Sequence, residues 1–355
     1  MRKTHFGVVA LAFALVITGA ACSGGSKTTE IDPGPVSLKL GTADDDIQPG
    51  GLAINEFVEQ VRTLSDGKLL IYPVWKAHGS GIQQWDQVVA HQLQDEVLDL
   101  AMIPSRAWDT EGVTTLRALS APFLVTSDAL ADRIVTTEDL SAQLMSGLDK
   151  AGVTGLALMP EGLRHPFGFR RALATPAAFR GQEIRAAKSN LGDATIRALG
   201  GQPSDANGEQ YNAGVQDGTY AGTETGFVLS DSLPMPGVAA ANVTFTTKVN
   251  TLVANSELFG HLSPANQDIL RKAAVATRAW VLVHRTTEAD NAAAYCNRGG
   301  KIVTATSADL RAFAQAVRPL YAELEQDAST KAMIDRIRGL KGSVQVPASG
   351  VVVRC

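Results

Sequence analysis

Between residues 36 and 103 the hydrophobic period of the chain switches four times, and this alternation constrains the fold more than any other feature. Val36, Leu38 and Leu40 recur every second residue and stop at Gly41, whereas Leu52, Phe57, Val58, Val61 and Leu64 recur at helical spacing until Gly67. KLLIYPVW at 68–75 returns to a strand-like run, a helical stretch occupies 83–94, and VLDLAMI at 97–103 is again strand-like. Period two places side chains on alternate faces of a strand, and a period near 3.6 places them on one side of a helix. Strand, helix, strand, helix, strand in succession predicts an α/β fold, with parallel strands and helices packed on the faces of the sheet.

Further strands are expected at 152–159, 181–187, 220–225 and 248–255. Ser263 and Pro264 form a helix-start signal, and no Gly or Pro interrupts the chain again before Gly299 and Gly300. The pattern predicts one helix over 264–298, about 50 Å long at 1.5 Å per residue, which is more than one lobe can cover. A hydrophobic content of 45% in a chain of this length is enough for two cores.

The first residues read as an address. Arg2 and Lys3 precede an apolar run at 6–17, followed by small residues at 18–21 and then Cys22, the layout of a signal peptide over 1–21. The run is too short to span a bilayer as a mature helix. A cysteine at this point resembles the lipobox of bacterial lipoproteins, with Gly19 departing from the aliphatic residue preferred there. The expectation is acylation of Cys22 and an extracytoplasmic protein anchored to the cell membrane. The alternative is ordinary cleavage near Ala21, which leaves a free thiol and a periplasmic protein. Residues 22–35 lack apolar periodicity and read as a flexible tether. With Cys22 acylated, Cys296 and Cys355 remain as the two possible disulfide partners in an oxidising compartment; the alternative is two unpaired thiols. A net charge of −4 without a dense Lys/Arg cluster argues against a nucleic-acid surface.

Local catalytic motifs are absent. The chain contains no G-x-x-x-x-G-K-[ST], G-x-S-x-G, H-E-x-x-H or Rossmann glycine fingerprint. Its six histidines are scattered without metal-ligand spacing. No enzyme, metal or cofactor is expected, and a hydrolytic lipoprotein without a local motif is the least favoured alternative.

Ligands of open α/β sheets bind beyond the carboxyl ends of the strands. Three features fall there: the acidic run Asp44, Asp45 and Asp46; Trp75, Trp85 and Trp108; and Arg185, at the end of the strand in RGQEIRAAKSN. The acidic run is either a solvated turn or presents one carboxylate to a ligand hydroxyl or ammonium. A tryptophan packs or walls a cleft, and Trp75 and Trp108 are candidates for the wall. Arg185 is a solvated surface residue, an ion-pair partner or a ligand clamp.

From about residue 36 to 340 the chain resembles the extracytoplasmic solute-binding subunits of tripartite ATP-independent periplasmic (TRAP) transporters. The resemblance lies in seven stretches in the family's order: VSLKLGTADDD with DGKLLIYPV, VLDLAMIPS, LSAPFLV, RALATPAAFRGQEIRAAKSN, GEQYNAGVQDGTYAGTET, HLSPANQDILRKAA and GGKIVTATSADLRAFAQAVRPLYAEL. It implies a two-lobed periplasmic-binding-protein-like fold of the class II type, with mostly parallel sheets flanked by helices. Residues 36–159 and 247–277 would form lobe I, and 160–246 and 278–340 lobe II. The long helix 264–298 would span both, and 341–355 would be a C-terminal tail. The implied function is capture of a small organic acid in the interlobe cleft by hinge closure and delivery to membrane permease subunits. A ligand-presenting lipoprotein for a sensor is the alternative.

By the same resemblance Arg185 occupies the position of the principal carboxylate clamp, and Arg164 in EGLRHP that of a second cation on the adjoining strand. Arg164 can instead pair with Glu161 or Glu224. Glu224 keeps the acidic position of the family's D-G-x-E-N motif, but Thr225 replaces the Asn that contacts ligand. An amide becomes one hydroxyl on a shorter stem, so the pocket is expected to be reshaped there. Asp44 is the expected acidic contact.

Overall fold

The computed structural model describes residues 35–80, 83–344 and Cys355. The expected signal peptide, Cys22, most of the tether and most of the C-terminal tail lie outside the described residues.

Strand β1 (Val36–Thr42) buries Leu38 and Leu40 and exposes Ser37 and Lys39, as its alternation requires. Helix α1 (Pro49–Leu64) has Pro at its first turn and buries Ile54, Phe57 and Val61. The turn to β2 (Leu69–Val74) passes through Gly67 at φ 75°, a left-handed conformation in which a glycine carries no Cβ penalty. Helix α2 (Trp85–Gln94) buries Val89, Ala90 and Leu93, and all five residues of β3 (Leu100–Pro104) are buried. A 3-10 turn, Ser105–Asp109, follows β3. Helices α3 (Asp128–Thr136) and α4 (Glu138–Met145) complete this part.

Next come β4 (Val153–Gly168), β5 (Glu183–Arg185), α5 (Asn190–Ala198), β6 (Gln202–Ser204), α6 (Gly208–Asp217), β7 (Tyr220–Thr225) and β8 (Val238–Ala240). The chain continues through β9 (Thr246–Asn255), α7 (Ser256–His261), α8 (Pro264–His284), α9 (Glu288–Asn297) and β10 (Lys301–Val303). Helices α10 (Ser307–Leu324) and α11 (Ala328–Ser343) follow.

The strand order is β2-β1-β3-β9-β4-β7-β5-β6, with β8 joined to β4 and β10 to β8. The first lobe's sheet is β2, β1 and β3 with β9 and the first part of β4; the second's is β5 to β8 and β10 with the end of β4. β1, β2 and β3 run parallel, as do β5, β6 and β7. The expectation of mostly parallel sheets needs correcting where the lobes join, because β3–β9, β4–β9, β4–β7 and β4–β8 are antiparallel. β4 and β9 pass between the lobes in opposite directions, and two adjacent strands that do so must pair antiparallel.

β4 is twice as long as its sequence pattern predicts. Pairing with β9 continues past Met159 to Arg164, through register shifts at Gly155/Ala157 and Pro160/Gly162. Bulges of this kind accommodate Pro160, which lacks an amide for the ladder. From His165 onward the strand pairs with β7.

The single helix expected over 264–298 is two helices. Ser263 caps the first as its sequence suggests, its Oγ accepting from the Asn266 amide at 3.2 Å. Arg285 then turns extended (φ −65°, ψ 145°), and Thr287 starts α9 by accepting from the Asp290 amide at 3.1 Å. Two adjacent β-branched threonines and a T-x-x-D cap compete with helix continuation even without Gly or Pro. The Arg285 guanidinium is also drawn out to Asp132 on α3, at 2.6 Å. In the last turn of α9, Cys296 is joined to Cys355 by a disulfide.

Candidate functional site

Where the two lobes face each other lies a cavity of about 340 Å³ lined by side chains from both. The first lobe contributes Asp44, Trp85, Asp86 and Arg106, and the second contributes Arg185, Tyr211, Thr223 and Thr225. Arg164 on β4 and Lys248 on β9 enter from the joining strands.

The four Lys and Arg side chains lining the cavity differ in one respect that decides their chemistry. Arg164 donates from Nε to Glu224 Oε1 at 2.8 Å and from Nη2 to Oε2 at 3.3 Å, with Arg164 buried and Glu224 half-buried at the root of the strand pair. Burial opposes both charges, but each stabilises the other, so the guanidinium is held above its ordinary value and the carboxylate below. Arg106 Nη2 lies 2.7 Å from Asp86 Oδ2. Lys248 Nζ sits between Glu161 at 2.8 Å and Asp44 at 3.4 Å.

Arg185 alone of the four has no carboxylate partner among the described residues. It ends β5, where Ser204 of β6 and Thr223 of β7 are its register partners. Its Nε donates to the Ala206 carbonyl at 3.0 Å, and its Cζ lies 5.0 Å from the Trp85 ring centre and 4.8 Å from that of Tyr211. Burial pushes the guanidinium below its ordinary pKa, and the positive charges of Arg164 and Arg106 add to the push against opposing contributions from Tyr211 and the more distant Glu224. A half-buried guanidinium stacked on aromatic faces, with its Nη edge free of carboxylates among the described residues, suits bidentate pairing with an incoming anion.

The acidic run divides its roles. Asp44 lines the cavity, Asp45 pairs with Lys76 at 3.3 Å, and Asp46 is exposed. Burial raises the pKa of Asp44 against the lowering effect of Lys248, and of the three carboxylates of the run it is Asp44 that lines the cavity. Thr225, at the end of β7, is buried and lines the cavity with its single hydroxyl. Glu224 does not line this cavity. It reaches Arg164 and borders the smaller space beside Arg106.

Two expected cleft tryptophans lie elsewhere. Trp108 is fully buried in the first lobe and donates from Nε1 to Thr251 Oγ1 at 2.8 Å, and Trp75 packs against the core around Leu38 and Phe57. Trp85 is the tryptophan at the cavity, because it opens α2 at the lobe surface whereas Trp108 lies in the turn that folds back under β9. Arg106, Asp86, Lys248 and Tyr211 are site residues that sequence reasoning did not single out. Tyr211 sat within the quoted GEQYN stretch. Arg106 and Lys248 carried no local signal, because only the approach of β9 and the 3-10 turn brings them to the cleft. Among the described residues no group of three or more His, Cys, Asp or Glu is placed to hold a metal ion.

Two α/β lobes joined by crossing strands, with a polar cavity between them and one cation held in reserve, define a solute-binding protein. The family model for DctP, bacterial extracellular solute-binding protein, family 7, matches residues 40–327, and the chain belongs to this family, the solute-binding proteins of TRAP transport. It works outside the cytoplasm by binding and is not an enzyme. It is 25% identical over 311 residues to a solute-binding protein of Verminephrobacter eiseniae, covering 85% of this chain and 88% of that one. Its fold matches a TRAP periplasmic solute-binding protein from Ralstonia eutropha with bound (S)-2-acetolactate (TM-score 0.76, 19% identity, 87% of this chain and 99% of that one). It also matches one from Xanthobacter autotrophicus with bound β-D-galacturonate (0.75, 18%, 85% and 99%). A third match is the sugar acid binding protein of Advenella mimigardefordensis in complex with galactonate (0.74, 17%, 86% and 99%).

Proposed function

We propose that this protein captures a small hydroxylated carboxylate between its lobes and delivers it to TRAP-type membrane permease subunits. The observation that carries the reading is that Arg185 has no carboxylate partner among the described residues: a partly desolvated cation kept clear of carboxylates is costly unless a ligand supplies one. Asp44, Thr225 and Tyr211 supply hydrogen-bonding groups for ligand hydroxyls around the clamp. Arg164, fastened to Glu224, holds the positive field at the back of the cavity. Acetolactate, galacturonate and galactonate, bound by proteins of the same fold, are all carboxylates with hydroxyl groups.

The expected lobes, 36–159 with 247–277 and 160–246 with 278–340, need adjusting because Val281 of α8 and Met333, Ile334 and Ile337 of α11 pack in first-lobe cores, and closure turns on β4, β9 and the break after α8. A solute touching both lobes only when they are shut shifts the population toward closure. Acylation of Cys22 holds the protein at the membrane, and replacing Cys22 by Ser is expected to release it from the detergent phase. A thermal-shift screen of the protein against organic acids, amines and neutral sugars tests the solute class, since a ligand at a hundred times its Kd adds about 2.7 kcal/mol of stability. Stabilisation confined to amines or neutral sugars overturns the carboxylate reading.

A further inference from the structure

Helix α5 belongs to the second lobe, but the first lobe caps its first turn. Ser189 satisfies one amide itself, its Oγ accepting from Gly192 at 3.1 Å. The amides of Asn190 and Leu191 donate instead to Asp109, at 2.9 Å to Oδ1 and 2.8 Å to Oδ2. The Ser189 hydroxyl adds a third bond to Oδ2 at 2.8 Å, and Asn190 Nδ2 donates to the Asp109 carbonyl at 3.2 Å. Asp109 ends the 3-10 turn after β3 and is only 4% exposed. First-turn amides lack partners within their own helix, and a carboxylate placed there also meets the positive end of the helix dipole.

The neighbouring contacts cross the same boundary. The Lys188 carbonyl accepts from Gln87 Nε2 at 3.2 Å and from Arg106 Nη1 at 3.4 Å. Just before α2, the Gln84 amide donates to Asp205 Oδ2 at 3.2 Å. The loop gripped in this way begins at Arg185, the residue without a carboxylate partner in the cavity, and ends in α5. These bonds join the two lobes beside Arg185, so separating the lobes at this boundary would return a carboxylate and two helix amides to water.

We infer that Asp109 is a closure latch: its carboxylate in the first lobe caps α5 of the second when the cleft is shut, and so sets the balance between open and closed protein. Asp109 does not line the cavity, so it acts on solute affinity through the population of the closed state and is a positioning residue. The inference rests on the reading of the protein as a two-lobed receptor that closes at a hinge, but it does not depend on which solute is bound.

The test uses the full chain without ligand, so a failed solute screen leaves it intact. Amide hydrogen exchange is followed at Gln84, which Asp109 does not touch, in wild type, Asp109→Ala and Asp109→Asn. Faster exchange at Gln84 in Asp109→Ala, by tenfold or more, is expected, with Asp109→Asn between because it keeps one acceptor oxygen. Solution scattering is expected to show a larger radius of gyration for Asp109→Ala, with its unfolding midpoint near that of wild type. Unchanged exchange at Gln84, or faster exchange only in step with a fall in the midpoint, overturns the latch and leaves Asp109 as a cap in a fixed interface. Should Asp109→Ala fail to fold, the same two readings on Asp109→Asn decide the matter.

Discussion

The guanidinium carbon of Arg185 lies 5.0 Å from the ring centre of Trp85, so a cation at the end of a second-lobe strand rests on an aromatic face that opens a first-lobe helix. The contact spans the cleft and leaves the guanidinium without a carboxylate.

Replacing Arg185 by Ala is expected to leave folding intact, since no ion pair is lost and a half-buried charge is relieved. The apo melting temperature should equal or slightly exceed that of wild type. Binding of the acid found in the screen should weaken at least a hundredfold, because removing one partner of a buried charge pair costs about 3 to 5 kcal/mol. Arg185→Lys keeps the charge without the fork and should fall between. Calorimetric titration within threefold of wild type for Arg185→Ala would place the residue in the scaffold.

The tryptophans separate binding from stability. Trp85→Ala removes a cation–π contact worth about 0.5 to 2 kcal/mol and should weaken binding by roughly 2- to 30-fold with little change in apo stability. Trp108→Ala empties a fully buried site and should cost about 3 to 5 kcal/mol of stability in denaturant unfolding. The opposite pattern would mean that the roles of the two rings are reversed.

At the start of α11, Asp327 caps the helix, accepting from the Thr330 amide at 2.7 Å and the Ser329 hydroxyl at 2.5 Å. Burial alone would raise its pKa, but these bonds outweigh it and hold the carboxyl at about 2. The unfolded value is near 3.9. A depressed acid contributes stability above its unfolded pKa and loses it as the pH falls through the folded one, so the window runs from about 4 down to about 2. Asp327→Ala should cost about 1 kcal/mol at neutral pH, and the difference from wild type should shrink across that window. A constant difference between pH 7 and pH 2 would show that the cap does not act through the charged carboxylate.

Cys296 and Cys355 close a loop of 59 residues, for which the chain-entropy argument gives roughly 4 kcal/mol. Cys355→Ser is expected to lower stability by up to that amount, and alkylation of unreduced protein should label neither sulfur. Mass spectrometry showing both labelled in material from an oxidising compartment would contradict the bridge.

The elements legible in the sequence are those whose cause is local. Leu38 and Leu40 alternate because a strand turns successive side chains to opposite faces, Ser263 and Pro264 begin α8 because free amides want an acceptor and Pro lacks one, and Arg185 ends β5 where the apolar run gives way to polar residues. These determined the class of fold, its lobe-spanning order and the candidate cation. Tertiary structure decided the rest. Pro160 and Gly162 end the strand pattern locally, yet β9 carries β4 on to Arg164 because ladder bonds from a neighbour outweigh two irregular residues. Trp85 and Trp108 look alike in sequence and differ because one turn folds under β9 and the other faces the cleft. Arg164 and Arg185 are both arginines at strand positions, but Glu224, 60 residues from Arg164, reaches only one of them. Which cation stays free to bind depends on where distant charges come to rest, and in sequence those charges are separated by lengths of chain that no local period can encode.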